Sequence, residues 1–222
     1  MAESVSCTMP RIGDTAPDFT AVTTHSPAMK FSEWQGGSWA ILFSHPADFT
    51  PVCSTELAEF ARRSGEFAAI NVKLIGLSVD SVHSHLAWRE NLKTTLAVEL
   101  PFPVIADLDT KVAQLYGMIH PGESATATVR AVFLIDPKRV IRAIVYYPLN
   151  AGRNIDEILR IARALQTADA YACATPVNWT PGQPVVVPPP KTVDDVAERL
   201  SHKGKDYDVK DFYLSLREQE VA

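Results

Sequence analysis

Apolar positions along the chain fall into runs of two kinds. Trp39 to Phe43 (WAILF) and Val72 to Val79 (VKLIGLSV) are short and nearly continuous in large aliphatics, the pattern of strands buried on both faces. Between them Leu57, Phe60, Ala61 and Ala68 recur at helical spacing, so a helix is predicted to begin near Cys53. A second helix follows the second run, with Val82, Leu86 and Arg89 along one face. Two further apolar runs, Ala131 to Ile135 and Val140 to Tyr147, flank Asp136 to Arg139 (DPKR), which has the make-up of a hairpin turn. Asn154 and Glu157 then make a capping-box pattern, with Ile155, Ile158, Leu159, Ala162 and Leu165 behind it as the clearest amphipathic stripe.

This order of strand, helix, strand, helix, hairpin, helix predicts an α/β fold: a mixed central sheet flanked by helices, in the element order of a thioredoxin-like fold. Six of the 16 prolines lie between Pro176 and Pro190, a segment that can neither continue a helix nor fill a central strand. It reads as an extended connector to a short C-terminal unit with a helix near Val193 to Leu200. The expected organisation is a main domain over residues 1–170 and a small extension over 171–222, which is too small to be stable alone and packs on the main domain or on a partner subunit.

A net charge of −5 argues against nucleic-acid binding and against dependence on anionic membranes. No apolar run approaches the ~20 residues that span a bilayer, and the first residues carry neither a basic nor an apolar signal region. Cys7, Cys53 and Cys173 are widely spaced and contain no C-x-x-C pair. That fits neither a disulfide framework nor a zinc site, so free thiols in a cytoplasmic protein are expected. His83 and His85 form an H-x-H pair, but residues two apart on a helix face different directions, so no metal site is expected. No glycine-rich phosphate loop implies a nucleotide, and no cofactor is expected.

The chemistry concentrates in FSHPADFTPVCSTEL, Phe43 to Leu57, where a lone cysteine opens a helix. Unpaired N–H groups and the partial positive charge there favour a thiolate over a thiol. Lowering a thiol pKa from about 8.5 to about 6 takes roughly 3.4 kcal/mol, whereas a helix end gives ~0.3–1 kcal/mol and rarely ~2. A cation must make up the difference, and arginine keeps its charge however deeply it is buried. Thr50 offers a hydroxyl one turn before Cys53, while Pro46 and Pro51 fix the backbone around it. The bland alternative is a buried core cysteine, the commoner fate of a free thiol.

Pro46-Ala-Asp-Phe-Thr50-Pro-Val-Cys53 matches the P-x-x-x-T-x-x-C signature of peroxiredoxins, and the longer string resembles the one-cysteine, peroxiredoxin-6-type subfamily. The resemblance continues through LIGLSVDSVHSHLAW, LPFPVIAD, the YP…GRN…EILR segment and ATPVNW, and so covers nearly the whole chain. It implies a thioredoxin-like fold in which Cys53 attacks a peroxide oxygen and becomes a sulfenic acid. Thr50 would hydrogen-bond the thiolate and the incoming peroxide, and Pro46 would shield the sulfur. Arg130 matches the family's active-site arginine, and Arg153 a second arginine near the pocket with Glu56 as its partner. His45 matches a histidine beside the cysteine that orients or hydrogen-bonds the sulfur. The implied activity is reduction of hydrogen peroxide and small alkyl hydroperoxides, in antioxidant defence and redox homeostasis, with recycling by an external thiol such as glutathione.

The resemblance also implies a homodimer or higher homo-oligomer, with the extension near a partner's active site. No cysteine stands in the usual resolving context, although Cys173 and Cys7 remain candidates. The phospholipase motif of some subfamily members is incomplete: Gly36-Gly37-Ser38-Trp39-Ala40 lacks the last glycine, and Phe31-Ser32-Glu33-Trp34 replaces the expected histidine, so no phospholipase activity is expected. A peroxide switch without turnover would use the same cysteine, and a thioredoxin-fold binding module would leave the Pro46, Thr50, Cys53 and Arg130 set unexplained.

Overall fold

Large aliphatics on both sides of a strand commit it to the middle of a sheet, and that is where the two continuous runs lie. The computed structural model describes residues 9–203 and 207–218. It divides into two compact units, the first ending at Ile155 and the second beginning at Asp156. The change of composition near residue 170 therefore falls inside the second unit.

The first unit carries β1 (Thr20–Ala21), β2 (Met29–Lys30), α1 (Phe31–Gln35), β3 (Trp39–Ser44), α2 (Pro51–Arg62), α3 (Ser64–Ala69), β4 (Val72–Ser78), α4 (Val82–Leu96), β5 (Val104–Ala106), α5 (Lys111–Leu115), β6 (Arg130–Ile135) and β7 (Ile141–Tyr147). Its main sheet has the order β5-β4-β3-β6-β7. β3, β4 and β5 run parallel, joined by crossovers that contain α2 with α3 and then α4. β6 and β7 pair antiparallel, β6 lying against β3. β3 and β6 are buried at every residue, as their central position demands.

Alternation along the strands sends side chains to two cores. Ala40, Leu42, Ile75, Leu77, Ala131 and Phe133 pack with Phe31 of α1 and with Val112 and Ala113 of α5. On the opposite face Phe43 stacks on Phe60 of α2 at 4.2 Å, and Phe60 meets Phe67 of α3 at 6.1 Å. The sheet is thus covered by helices on both faces, the mixed α/β arrangement that the pattern predicts.

The DPKR segment makes the expected hairpin. Asp136 Oδ1 accepts from the Lys138 and Val140 amides while Arg139 takes a left-handed φ of 64°.

Three differences from the sequence pattern have physical causes. The helix expected to run from Cys53 past Ala68 breaks at Arg63, whose φ and ψ of −96° and 4° leave the helix just before Gly65. The buried stripe of α4 is His85, Trp88 and Leu92, and Leu86 is exposed. Both stripes have helical spacing, and burying Trp88 with Leu92 removes more apolar surface from water than burying Val82 with Leu86. β5 is only three residues long, too short for a periodicity to show.

The second unit contains all of α6 (Ile155–Tyr171) but its first residue, then β8 (Val185–Val186), α7 (Val193–Ser201), β9 (Asp208–Asp211) and β10 (Leu214–Arg217). α6 starts directly after Asn154, and α7 has a capping box in which Thr192 and Asp195 exchange hydrogen bonds. β8 is an edge strand in the order β8-β10-β9, which is how the proline-rich segment joins a sheet. Ala164, Trp179 and Val185 form a small core here. Among the described residues, no helix is long and apolar enough to cross a membrane.

Candidate active site

Cys53 is fully buried on the first turn of α2. The helix starts there because Thr50 is extended (φ −107°, ψ 148°) and Pro51 follows with its φ already helical. The first helical bond runs from the Ser54 amide to Thr50 O. The amides of Val52 and Cys53 precede that bond and so have no partner within the helix. The first turn carries no acidic residue, the side chain that most often occupies such a position. Local positive potential is thereby left for the sulfur.

The missing cation is Arg130, the first residue of β6. Its Nη1 donates to Cys53 Sγ at 3.3 Å and to Glu56 Oε2 at 2.7 Å, while Nε and Nη2 donate to Leu149 O. Glu56 stands three residues after Cys53 on the same helical face and also holds Arg153. The Arg153 amide and Nε donate to Glu56 Oε1 at 2.8 and 3.0 Å, and Nη2 donates to Oε2 at 2.7 Å. Arg153 Nη1 reaches Ser44 O and Ala131 O at the adjoining ends of β3 and β6. The guanidinium also lies over the rings of Phe43 and Phe60, at 5.2 and 5.5 Å. Burial would raise the Glu56 carboxyl, but the charges and hydrogen bonds of Arg153, with the charge of Arg130, hold it below its ordinary value.

The turn before the helix is pinned separately. The His45 amide donates to Leu77 O, and the His45 carbonyl accepts from Thr128 Oγ1. The Asp48 amide donates to Asp80 Oδ2, which also accepts from Ser78 Oγ. Thr50 Oγ1 donates to Ala47 O at 2.9 Å. With its only proton used inside the turn, the hydroxyl offers lone pairs. Pro46 lies between His45 and this turn.

The family resemblance implies that His45 orients or hydrogen-bonds the sulfur. Its fully buried ring has Nε2 2.9 Å from Asp48 Oδ1, and its Nδ1 has no hydrogen-bond partner among the described residues. Asp48 Oδ2 lies 2.8 Å from Nδ1 of the buried His85, whose Nε2 donates to Ile105 O at 3.0 Å. Burial lowers the pKa of His45 although the Asp48 hydrogen bond opposes the shift. Burial would raise Asp48, yet the hydrogen bonds and charges of the two histidines drive it well below the carboxylate range.

Asp48 and His85 were missed as site residues. The signal for His85 was its i, i+3, i+7 spacing with Trp88 and Leu92, which turns it inward, whereas His83 is exposed. These three side chains contain the ligand types of a metal site, but the nitrogens involved already face a carboxylate or a carbonyl as hydrogen-bond partners.

Of the other cysteines, Cys173 is half-buried against the small core of the second unit, and burial pushes its thiol up while Arg217 opposes the shift. That is the setting of an inert thiol. Cys7 lies outside the described residues. Ser38 Oγ donates to Asn71 Oδ1 at 2.8 Å, which gives it no base.

These burials set how acid acts on the fold. A histidine with a folded value below its unfolded one costs stability as pH falls through the unfolded value, about 6.5. The depressed carboxyls of Asp48 and Glu56 stabilise fully above their unfolded values near ~4 and lose that contribution as pH falls toward their folded values. Urea midpoints should therefore decline in two stages, shallowly below about pH 6.5 and steeply below about pH 4. His45→Gln should flatten the first stage only, and an unchanged slope between about pH 7 and 5 would assign that stage to other groups.

Known proteins resemble this chain along most of its length. Residues 12–144 match the AhpC/TSA family, and residues 164–203 match the C-terminal domain of 1-Cys peroxiredoxin. Peroxiredoxin 2 of Caldanaerobacter subterraneus subsp. tengcongensis is 54% identical over 206 residues, covering 93% of this chain and 92% of the relative. Among solved structures, a yeast mitochondrial 1-Cys peroxiredoxin superposes with a TM-score of 0.85 at 41% identity, covering 95% of this chain and all of the other. The thiol resolving mechanism of that yeast protein runs via glutathione/thioredoxin systems. A cysteine-to-serine mutant of peroxiredoxin 6 from Arenicola marina gives a TM-score of 0.84 at 36% identity, covering 96% of this chain and all of the other. With both family models matched in order and a thioredoxin-like sheet beneath them, the chain belongs to the peroxiredoxins, the thiol-dependent peroxidases.

Proposed function

We propose that Cys53 is the peroxidatic thiol of a one-cysteine peroxidase that reduces hydrogen peroxide and small alkyl hydroperoxides. The observation that carries this reading is the Arg130 guanidinium donating to the buried sulfur at a helix N-terminus. The Cys53 thiolate attacks one peroxide oxygen in line with the O–O bond. An S–O bond forms, the O–O bond breaks, and two electrons pass from sulfur to oxygen. The leaving oxygen takes a proton and departs as water or an alcohol. Arg130 and the free amides of the first turn supply donors to the developing charge without changing protonation state. Thr50 supplies an acceptor for a peroxide O–H, because its own proton is engaged by Ala47. Pro46 caps the turn beside the sulfur.

Full burial of Cys53 favours small peroxides. It also leaves the sulfenic acid to a thiol that can enter the site. An external thiol forms a mixed disulfide with Cys53 and releases water, and a second thiol regenerates the thiolate. Glutathione or another small thiol fits this role, and the neighbour studied for glutathione and thioredoxin resolution supports that class. The raised Cys173 thiol makes it a poor resolver. Residues 171–222 serve as the extension through which a homodimer forms, in the reducing cytoplasm that suits a free-thiol enzyme.

Reduced protein treated with one equivalent of hydrogen peroxide and a sulfenic-acid trap should give an adduct on Cys53 in mass spectra. A Cys53–Cys173 or Cys53–Cys7 disulfide would replace the external thiol by an internal one, and an unmodified Cys53 would remove the assignment. Arg130→Gln should lower kcat/KM for hydrogen peroxide by about 10²–10³-fold. Thr50→Ser should stay close to the parent while Thr50→Val falls substantially, and equal rates in the two Thr50 variants would deny the hydroxyl a role. Light scattering at micromolar protein should give at least a dimeric mass, and a monomeric mass would overturn the dimer.

A further inference from the structure

His85 is fully buried on α4, and both ring nitrogens face oxygens of other elements. Nε2 meets the Ile105 carbonyl of β5, which can only accept, so Nε2 carries a proton. Nδ1 meets Asp48 Oδ2, and the other oxygen of the same carboxylate is engaged by His45 Nε2. A carboxylate serving two ring nitrogens is an acceptor toward both. Facing an ionised Asp48, Nδ1 must donate as well. His45 has a single proton, on Nε2, and its partnerless Nδ1 is bare.

The other groups around His85 do not supply that charge. On its own helix, Arg89 one turn on directs its guanidinium to Phe102 O. From the β4–α4 connection, Asp80 is partly exposed and takes the Asp48 amide. Beyond β5, Asp107 turns its carboxyl to the Val112 and Ala113 amides. His45 lies 6.2 Å away between ring centroids.

We infer that His85 is a buried imidazolium that positions the active-site turn and balances the charge around Cys53. With it, the buried charges of the active-site turn and of the cluster at Cys53 are the cations Arg130, Arg153 and His85 and the anions Glu56, Asp48 and the Cys53 thiolate; the other buried carboxylates, Asp107 and Asp136, face the Val112 and Ala113 amides and the β6–β7 hairpin. The shell is neutral only when the sulfur is ionised. Removing the His85 charge while Asp48 stays ionised would leave the Asp48 charge uncompensated at the other end of the turn that carries Cys53, opposing the thiolate. The inference rests on the reading of Cys53 as the reactive thiol, but its tests require no peroxide turnover.

The first test is ¹⁵N-histidine NMR of the intact reduced protein at neutral pH. His85 should show two protonated ring nitrogens, and a bare Nδ1 would place the proton on Asp48 and overturn the inference. The second reads the pH midpoint of Cys53 alkylation by iodoacetamide, quantified on the Cys53 peptide so that Cys7 and Cys173 do not contribute. His85→Asn keeps an N–H toward Asp48 and removes the charge. It should raise the midpoint by about one unit, roughly a tenfold loss of reactivity below it. Asp48→Asn combined with His85→Asn removes both charges and should bring the midpoint back toward that of the parent. A purely structural role predicts the double variant to be at least as disturbed as the single one. An unmoved midpoint in folded His85→Asn, or a double variant shifted as far as the single, would refute the balance. If His85→Asn fails to fold, the NMR result on the intact protein decides.

Discussion

One buried carboxylate makes the site possible. Glu56 is nearly inaccessible to solvent, and both its oxygens are taken by two arginines that are themselves buried. Two guanidinium groups do not enter a protein interior unaccompanied, because the desolvation of each costs several kcal/mol. Glu56 offsets that cost and fixes where the groups point. Its three-residue spacing from Cys53 brings Arg130 to the sulfur while the carboxylate oxygens stay on the arginines. The trio has one positive charge to spare, and the sulfur is the atom placed to answer it.

The sheet provides what that cluster needs to be rigid. Arg153 bonds to Ser44 O and Ala131 O, where β3 and β6 end side by side, and the Ser44 hydroxyl ties Val129 O and the Ala131 amide together. Arg130 is the next residue back along β6. The cation is therefore set by strand register, whereas the sulfur is set by a helix start. The turn from His45 to Thr50 joins the two. That division matters because a reactive group must be held closely in place by parts that do not yield, and two independent frameworks converge here on one sulfur.

Much of this was legible in the sequence, for reasons that differ by residue. Pro46, Thr50 and Cys53 stand together in one short motif whose types already specify a turn and a helix start. Arg130 could be required on energetic grounds, since a helix terminus alone stabilises an anion too little, and its position followed from the family resemblance. The pairing of Arg153 with Glu56 was expected, but not that Arg130 shares the same carboxylate, because residues 74 apart meet only through sheet topology. The long β3, β4, β6 and β7 were visible as runs. β9 and β10 were hidden because their polar residues follow no buried pattern, as were β1 and β2, which are two residues each.

His45 and His85 show why polar residues in a core are the hardest to place. Hydropathy sets a histidine outside, and periodicity can set it inside only if the residues sharing its stripe outweigh it, as Trp88 and Leu92 do for His85. Once inside, its partners must come from elsewhere in the chain, because a buried ring nitrogen without an acceptor or donor costs ~1–3 kcal/mol. Asp48 meets that need for one nitrogen of each ring. The same economy operates at Glu56: in each half of the site one carboxylate satisfies two nitrogen bases, so that each buried charge faces an opposite one. On the proposed reading of Cys53, its thiolate is thus less an isolated anion stabilised by one neighbour than the last member of a set of charges that is incomplete without it.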